Sequence, residues 1–179
     1  MSTADLIRWG GLVSMLAGVL FLLNGLISLA NPLPPFLDSI LDSVFILALL
    51  LSVVGLVGFH TLRKGNYRRV GQAGFYIAVV GFLVGALGIL IVILGGGALI
   101  WLVQLATLVQ LVGLVLYGAA TLQARVLPRW CGIGFIVALP LALLLGIFGN
   151  VLFGVIWLAL GYALWSRREA SAQQSGRLS

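Results

Sequence analysis

Charge is what this sequence has least of. Among 179 residues, ten are Lys or Arg, four are Asp or Glu and one is His, so that 8% are charged against roughly 25% in a soluble domain. No Asp, Glu, Lys or Arg falls in the middle of any apolar run. Proton relays, ion-coupled carriers and voltage sensors need ionisable groups within the membrane, and this absence argues against a pump or a proton-coupled transporter. A single cysteine, Cys131, excludes an intramolecular disulfide framework and a cysteine-based metal site. None of Asn24, Asn31, Asn66 and Asn150 begins a glycosylation sequon. No Ser/His/Asp constellation, phosphate-cradling glycine loop or paired carboxylate in a cleft can be assembled. The expectation is a protein without catalysis, with no catalytic, cofactor-binding or metal-ligating residue.

What the chain has instead is hydrophobic length. Hydrophobic residues make up 62% of it, and the mean hydropathy is +1.23. Four apolar segments of about 20 residues or more run from Ile7 to Ala30, Ile40 to Leu62, Val70 to Leu94 and Ala98 to Leu122. The net charge of +6 is distributed in short clusters at the ends of these segments, which reads as an orientation signal rather than a nucleic-acid surface. Arg8 precedes the first span. Arg63, Lys64, Arg68 and Arg69 fill the second loop, Arg125 and Arg129 the fourth, and Arg167, Arg168 and Arg177 lie in the tail. The first and third loops carry no basic residue, and Asp38 and Asp42 lie in or beside the first.

Beyond Arg129 stands an uncharged block from Ile133 to Trp165. As one helix it would be roughly 50 Å long, against a hydrocarbon core of about 30 Å. Arg129 and Arg167 flank the block, and both read as cytoplasmic, so an even number of crossings lies between them. Two crossings fit, with a reversal near Gly146 to Asn150, where Gly and Asn tolerate the turn backbone. The expected fold is therefore all-α: six transmembrane helices, N-in and C-in, spans five and six each about 18 residues long. Trp9, Tyr67, Trp130 and Trp165 fall at cytoplasmic ends and Trp101 at an external end, as interfacial aromatics do; Trp157 does not, and is expected within the bundle. Residues 1–168 form the transmembrane domain, and 169–179, polar and poor in hydrophobics, a disordered cytoplasmic tail. The small residues before Asn31 resemble a signal-peptidase site, but the first apolar run is too long for a signal h-region and Asp5 weakens the n-region, so span one is expected to be retained.

Shifting Leu56–Ala78 by 60 positions onto Leu116–Ala138 aligns eight identities: Leu56/Leu116, Gly58/Gly118, Thr61/Thr121, Leu62/Leu122, Arg69/Arg129, Gly74/Gly134, Phe75/Phe135 and Ala78/Ala138. A duplicated two-span unit gives this pattern, as a parallel repeat; packing and charge constraints acting on a limited alphabet give it too. Small residues form stripes at helical spacing: Gly11, Gly18 and Gly25 in span one; Gly74, Ala78, Gly81, Gly85 and Gly88 in span three; Gly134, Ala138, Ala142 and Gly146 in span five. Helices in lipid associate through such stripes, which are expected to pack within the chain rather than against another copy.

Few polar groups remain. Asp38 and Asp42, four apart in "DSILDS", suit a cation-attracting mouth, but read more simply as part of a capping box with Ser39 as N-cap and Asp42 at N3. His60 has no acid or second histidine near it in sequence and reads as an interfacial polar residue. Asn24, Gln104, Thr107 and Gln110 are the strongly polar groups at depth. They serve interhelical hydrogen bonds or, in the competing reading, line a path for a small solute or lipid. Arg63, Lys64, Arg68 and Arg69 are placed to contact anionic lipid headgroups, although orientation alone would require them.

A basic second loop, "LPRW" (Leu127–Trp130) opening span five and the ending "LGYALWSRR" (Leu160–Arg168) together resemble a loose group of uncharacterised bacterial six-span integral membrane proteins. The resemblance covers nearly the whole chain. It implies a bacterial plasma membrane location and carries no catalytic residue. The reading is a structural or accessory membrane protein, its partners the bilayer and a membrane protein or a second copy, with no cofactor and no nucleic acid. A third reading, an enzyme using His60 with Asp38 or Asp42, sets the histidine and the acids at opposite ends.

Overall fold

The structure, a computed structural model, describes residues 3–29, 34–62, 69–95, 97–124 and 128–176. Its elements are α1 (Thr3–Ser28), α2 (Pro35–Thr61), α3 (Arg69–Ile93), a 3-10 turn (Gly97–Leu99), α4 (Ile100–Ala124), α5 (Arg129–Leu144) and α6 (Ile147–Gly176), with no strand among the described residues. Among the described residues five segments are long and apolar enough to cross a membrane: Ile7–Ser28, Phe36–Thr61, Arg69–Ile93, Gly97–Ala124 and Phe148–Ser166. These are the properties of a multi-pass helical membrane protein. α5 is equally apolar but has 16 residues, about 24 Å of helix against a core of about 30 Å.

The uncharged block is two helices. It turns at Leu145 and Gly146, where Gly146 takes φ +55°, a left-handed conformation that costs glycine little. Gly149 and Asn150, read as turn residues, lie instead in the first turns of α6. Pro140 lies inside α5, where its missing N–H leaves the Ile136 carbonyl without its usual donor.

Two sequence expectations change. α2 begins at Pro35 with Pro34 as its N-cap and no side-chain cap, so Ser39 is not an N-cap. Ser39 sits inside the helix and its carbonyl accepts the Ser43 hydroxyl at 2.9 Å. Proline at the first helical position needs no hydrogen-bonded N–H and already has helical φ, so the Pro-rich loop starts the helix earlier than the serine does. At the other end of the chain, α6 continues to Gly176, through most of the segment read as a disordered tail. Arg167, Arg168, Glu169 and Ala170 are good helix formers and extend a helix already nucleated in the bundle.

The helices stand in a ring. Each packs on its neighbours in chain order, α6 closes on α1, and the α1/α6 and α3/α4 seams are the most extensive. Neighbours run antiparallel: Gly10 meets Gly58 at one end of the α1/α2 pair and Asn24 meets Leu41 at the other. Arg8, Arg69 and Arg129, at or near the starts of α1, α3 and α5, therefore share an end with the close of α2 and α4. Ser28, the start of α2, the 3-10 turn and the α5–α6 turn share the opposite end.

The small-residue stripes of α1 and α3 form these seams within the chain. The stripe read in the fifth span is broken, because Gly146 lies in the turn beyond α5, where an added Cβ would meet nothing within 4 Å among the described residues. Gly11, Gly18 and Gly25 of α1 lie against Gly161, Gly154 and Val151 of α6, while Gly74, Gly81 and Gly88 of α3 lie against Tyr117, Gln110 and Val103 of α4. Without a hydrophobic driving force between helices in lipid, this close backbone approach supplies the dispersion contacts that hold the seam. Leucines face the other way: Leu16, Leu23 and Leu26 of α1 and Leu83, Leu87 and Leu90 of α3 are exposed, as lipid permits. In the repeat alignment, Ala78 and Ala138, and Phe75 and Phe135, are all buried. Gly58, however, faces α1 behind it in the chain, whereas Gly118 faces α5 ahead of it. Equivalent glycines thus serve different seams.

Aromatic rings fill the centre. Trp157, expected within the bundle, is 1% exposed and lies 5.9 Å from Phe82, 6.1 Å from Phe153 and 6.3 Å from Phe135 between ring centroids, each in an edge-on geometry. Phe135 in turn meets Phe59 at 5.3 Å and Tyr117 at 5.2 Å, and Phe153 meets Phe21 at 4.9 Å. Rings from all six helices interlock in this way, each edge-to-face pair adding about 0.5–1.5 kcal/mol beyond its buried area.

Candidate functional site

Above this aromatic layer, at the end away from the basic residues, the ring opens into a cup. Asn24 and Ser28 of α1, Asp38, Leu41, Asp42 and Phe45 of α2, Ile89 of α3 and Asn150 of α6 line a cavity of about 500 Å³. Its floor is continuous with the core, because Phe45 packs edge-on against Phe21 at 5.4 Å. Its wall is polar for a helical reason. Asp38 and Asp42 are four residues apart, one turn, so both fall on the same stripe of α2.

The base of the cup is a joint between three helices. Asn24 is 5% exposed; its amide Nδ2 donates to the Leu41 carbonyl at 2.9 Å, and its Oδ1 accepts from Asn150 Nδ2 at 3.2 Å. α1, α2 and α6 are thereby tied at one point. Ser28 donates to the Asn24 carbonyl at 2.8 Å, which keeps its hydroxyl on its own helix. Measured interhelical hydrogen bonds in membranes average about 0.6 kcal/mol. A double-mutant cycle of Asn24→Ala and Asn150→Ala, read by reversible unfolding in mixed micelles, is expected to return a coupling of about that size; a coupling of zero would show that the two amides do not meet.

Of the four residues proposed as a polar path, Asn24 alone lines the cup. Gln104 is exposed on the outer face of α4, and Thr107 spends its hydroxyl on the Val103 carbonyl one turn back. Gln110 is buried, 6% exposed, with its backbone against Gly81 of α3. The structure therefore brings Asn24 to Asn150 rather than to Gln104, Thr107 and Gln110. Asn150, Ser28 and the association of both aspartates with Asn24 are not legible in the sequence: Asn24 and Asn150 are 126 residues apart, and only the closure of α6 on α1 joins them.

At the opposite end His60 is half-buried and stacks on Phe75 at 4.1 Å. It lies 18 residues from Asp42 along α2, about 27 Å of helix, so the histidine and the acids form no common site. Among the proposed lipid-headgroup residues Arg69 is exposed at the start of α3; Arg63, Lys64 and Arg68 lie outside the described residues. Arg8 stands 5.7 Å over the Trp165 ring, a cation–π contact that ties the start of α1 to α6. Among the described residues no group of three or more His, Cys, Asp or Glu is placed to hold a metal ion, and Cys131 is buried.

Compared with protein-family models, curated proteins and solved structures, the chain matches none. Its geometry is that of a ring of apolar helices, closed through its centre by aromatic side chains and open at one end as a polar cup.

Proposed function

We propose that this chain is a six-crossing integral protein of the bacterial plasma membrane, with both termini cytoplasmic, serving as a non-catalytic structural or accessory component, in company with a partner membrane protein or a second copy of itself. Arg8, Arg69 and Arg129 gather at one end of the ring, which under the positive-inside rule is the cytoplasmic one; the cup then faces outward. α5 makes the fifth crossing despite its length, because a shorter helix is accommodated by local thinning of the bilayer at a cost of fractions of a kcal/mol per Å. The single observation that carries the accessory reading over the transport alternative is the aromatic layer. Below the cup, Phe21, Phe153, Trp157, Phe82 and Phe135 close the interior, and Gln104, Thr107 and Gln110 do not extend the cup across the membrane.

Side-specific thiol labelling tests the topology. Cys131 is 0% exposed, so it contributes little background labelling. Leu145→Cys at the α5–α6 turn is expected to react with a membrane-impermeant maleimide from outside intact cells, and Ser179→Cys only after the membrane is opened. Reaction of both from the same side would remove the sixth crossing. In sealed proteoliposomes, small neutral solutes are expected to leak no faster than from protein-free vesicles; protein-dependent flux would favour transport instead.

A further inference from the structure

We propose that the cup is a binding site for a small organic ammonium ion. A space of about 500 Å³ that reaches down to an amide joint and an aromatic floor is of the size that small-molecule sites occupy, and its lining is mainly polar, five polar residues beside three apolar ones.

The lining selects the ligand class. Asp38 and Asp42 bring two carboxylates to one wall, and among the described residues no basic side chain lines the cavity. The charge sought is therefore positive. A bare divalent cation is a poor occupant, since two carboxylates and no third acid, histidine or cysteine are grouped there among the described residues. The volume is also many times that of one ion. The rest of the lining has a use only for a ligand with a body: Leu41, Phe45 and Ile89 offer apolar contact, Phe45 offers a ring to a cation, and Ser28 and Asn150, which donate to Asn24, keep their side-chain oxygens as acceptors in the lining. An ammonium carrying a short alkyl or hydroxyalkyl group satisfies all three sets. The carboxylates neutralise the head, the amide and hydroxyl oxygens meet the substituent, and the apolar patch takes the carbon.

That chemistry has two sources, a free amine and the ammonium headgroup of a lipid entering from the adjacent leaflet. Only the choice between them rests on the outward orientation proposed above; binding itself does not, because detergent-solubilised protein exposes both ends.

The test uses the full chain in mild detergent, with ethanolamine and tetramethylammonium as probes. Each is expected to raise the unfolding temperature saturably and to give a calorimetric binding isotherm, whereas sodium chloride at equal ionic strength and glycerol do neither. Asp38→Asn and Asp42→Asn, exposed positions whose unliganded unfolding temperature and helical spectrum stay at wild-type values, are each expected to weaken binding at least about tenfold, the loss typical of a charged partner. Lipid nanodiscs separate the sources. Ethanolamine binding that is unchanged between phosphatidylglycerol and phosphatidylethanolamine discs identifies a free amine, and binding lost in phosphatidylethanolamine discs identifies the headgroup. The proposal is overturned by the absence of any ammonium-specific isotherm, by equal binding in the double Asp38→Asn, Asp42→Asn variant, or by calcium binding as tightly as the amines. None of these outcomes alters the labelling result, so the two readings fail separately.

Discussion

Gly81→Ala is expected to lower the stability of the bundle by about 2 kcal/mol, whereas Gly85→Ala, four residues on in the same Gly-x-x-x-Gly motif, leaves it unchanged or raises it by up to about 1 kcal/mol. A methyl group on Gly81 would stand 2.6 Å from the Gln110 backbone nitrogen and 2.7 Å from its Cα. Backbone cannot rotate away as a side chain can, so α3 and α4 must separate, and overpacking of this kind costs about 1–3 kcal/mol. On Gly85 the same methyl would meet Ala106 Cβ at 3.8 Å and Leu49 Cδ1 at 3.9 Å, ordinary contact, and the higher helix propensity of alanine acts unopposed. Reversible unfolding in mixed micelles, followed by helical circular dichroism, reads both. Equal losses at the two positions would mean that the motif acts as a unit, contrary to the geometry of this seam.

The second large effect is at the centre. Trp157→Ala is expected to destabilise by about 3–5 kcal/mol, the range for removing a buried indole, because Phe82, Phe135 and Phe153 all lose their common partner. The void left behind is bordered by Phe82, Phe135 and Phe153, and apolar cavities of this kind accept small aromatic ligands. Added indole is therefore expected to restore part of the loss in Trp157→Ala and to leave wild type unmoved. A loss below about 1 kcal/mol would show that the indole does not bridge the helices. The same measurement bears on function, since the aromatic layer is what closes the ring below the cup.

Both sites are only half legible in the sequence. The spacing of Gly74, Gly81 and Gly88 marks a contact stripe, because glycines repeated on one face of a lipid-embedded helix allow a neighbouring helix to approach closely. That spacing does not say which glycine touches backbone, as the answer depends on how far α3 is rotated against α4. Trp157 stands out as misplaced for an interface, and its burial follows; its partners Phe82 and Phe135 lie on other helices, and no spacing within α6 points to them. Ser39 misleads because a serine followed three residues later by an acid is a purely local signal, and Pro35, four residues before it, has already begun the helix.

The composition and the order of apolar runs by themselves determined an all-helical membrane chain, the reversal of the uncharged block near Gly146 and the end of the bundle at which Arg8, Arg69 and Arg129 gather. Each of these follows from a one-dimensional rule about length, hydrogen bonding or charge in a bilayer. Only the tertiary structure decided that α6 closes on α1, that Asn24 meets Asn150 beneath two aspartates, and that rings rather than water occupy the middle. These are contacts between helices far apart in the chain, and in lipid they are set by the shapes of facing surfaces, which no single helix carries.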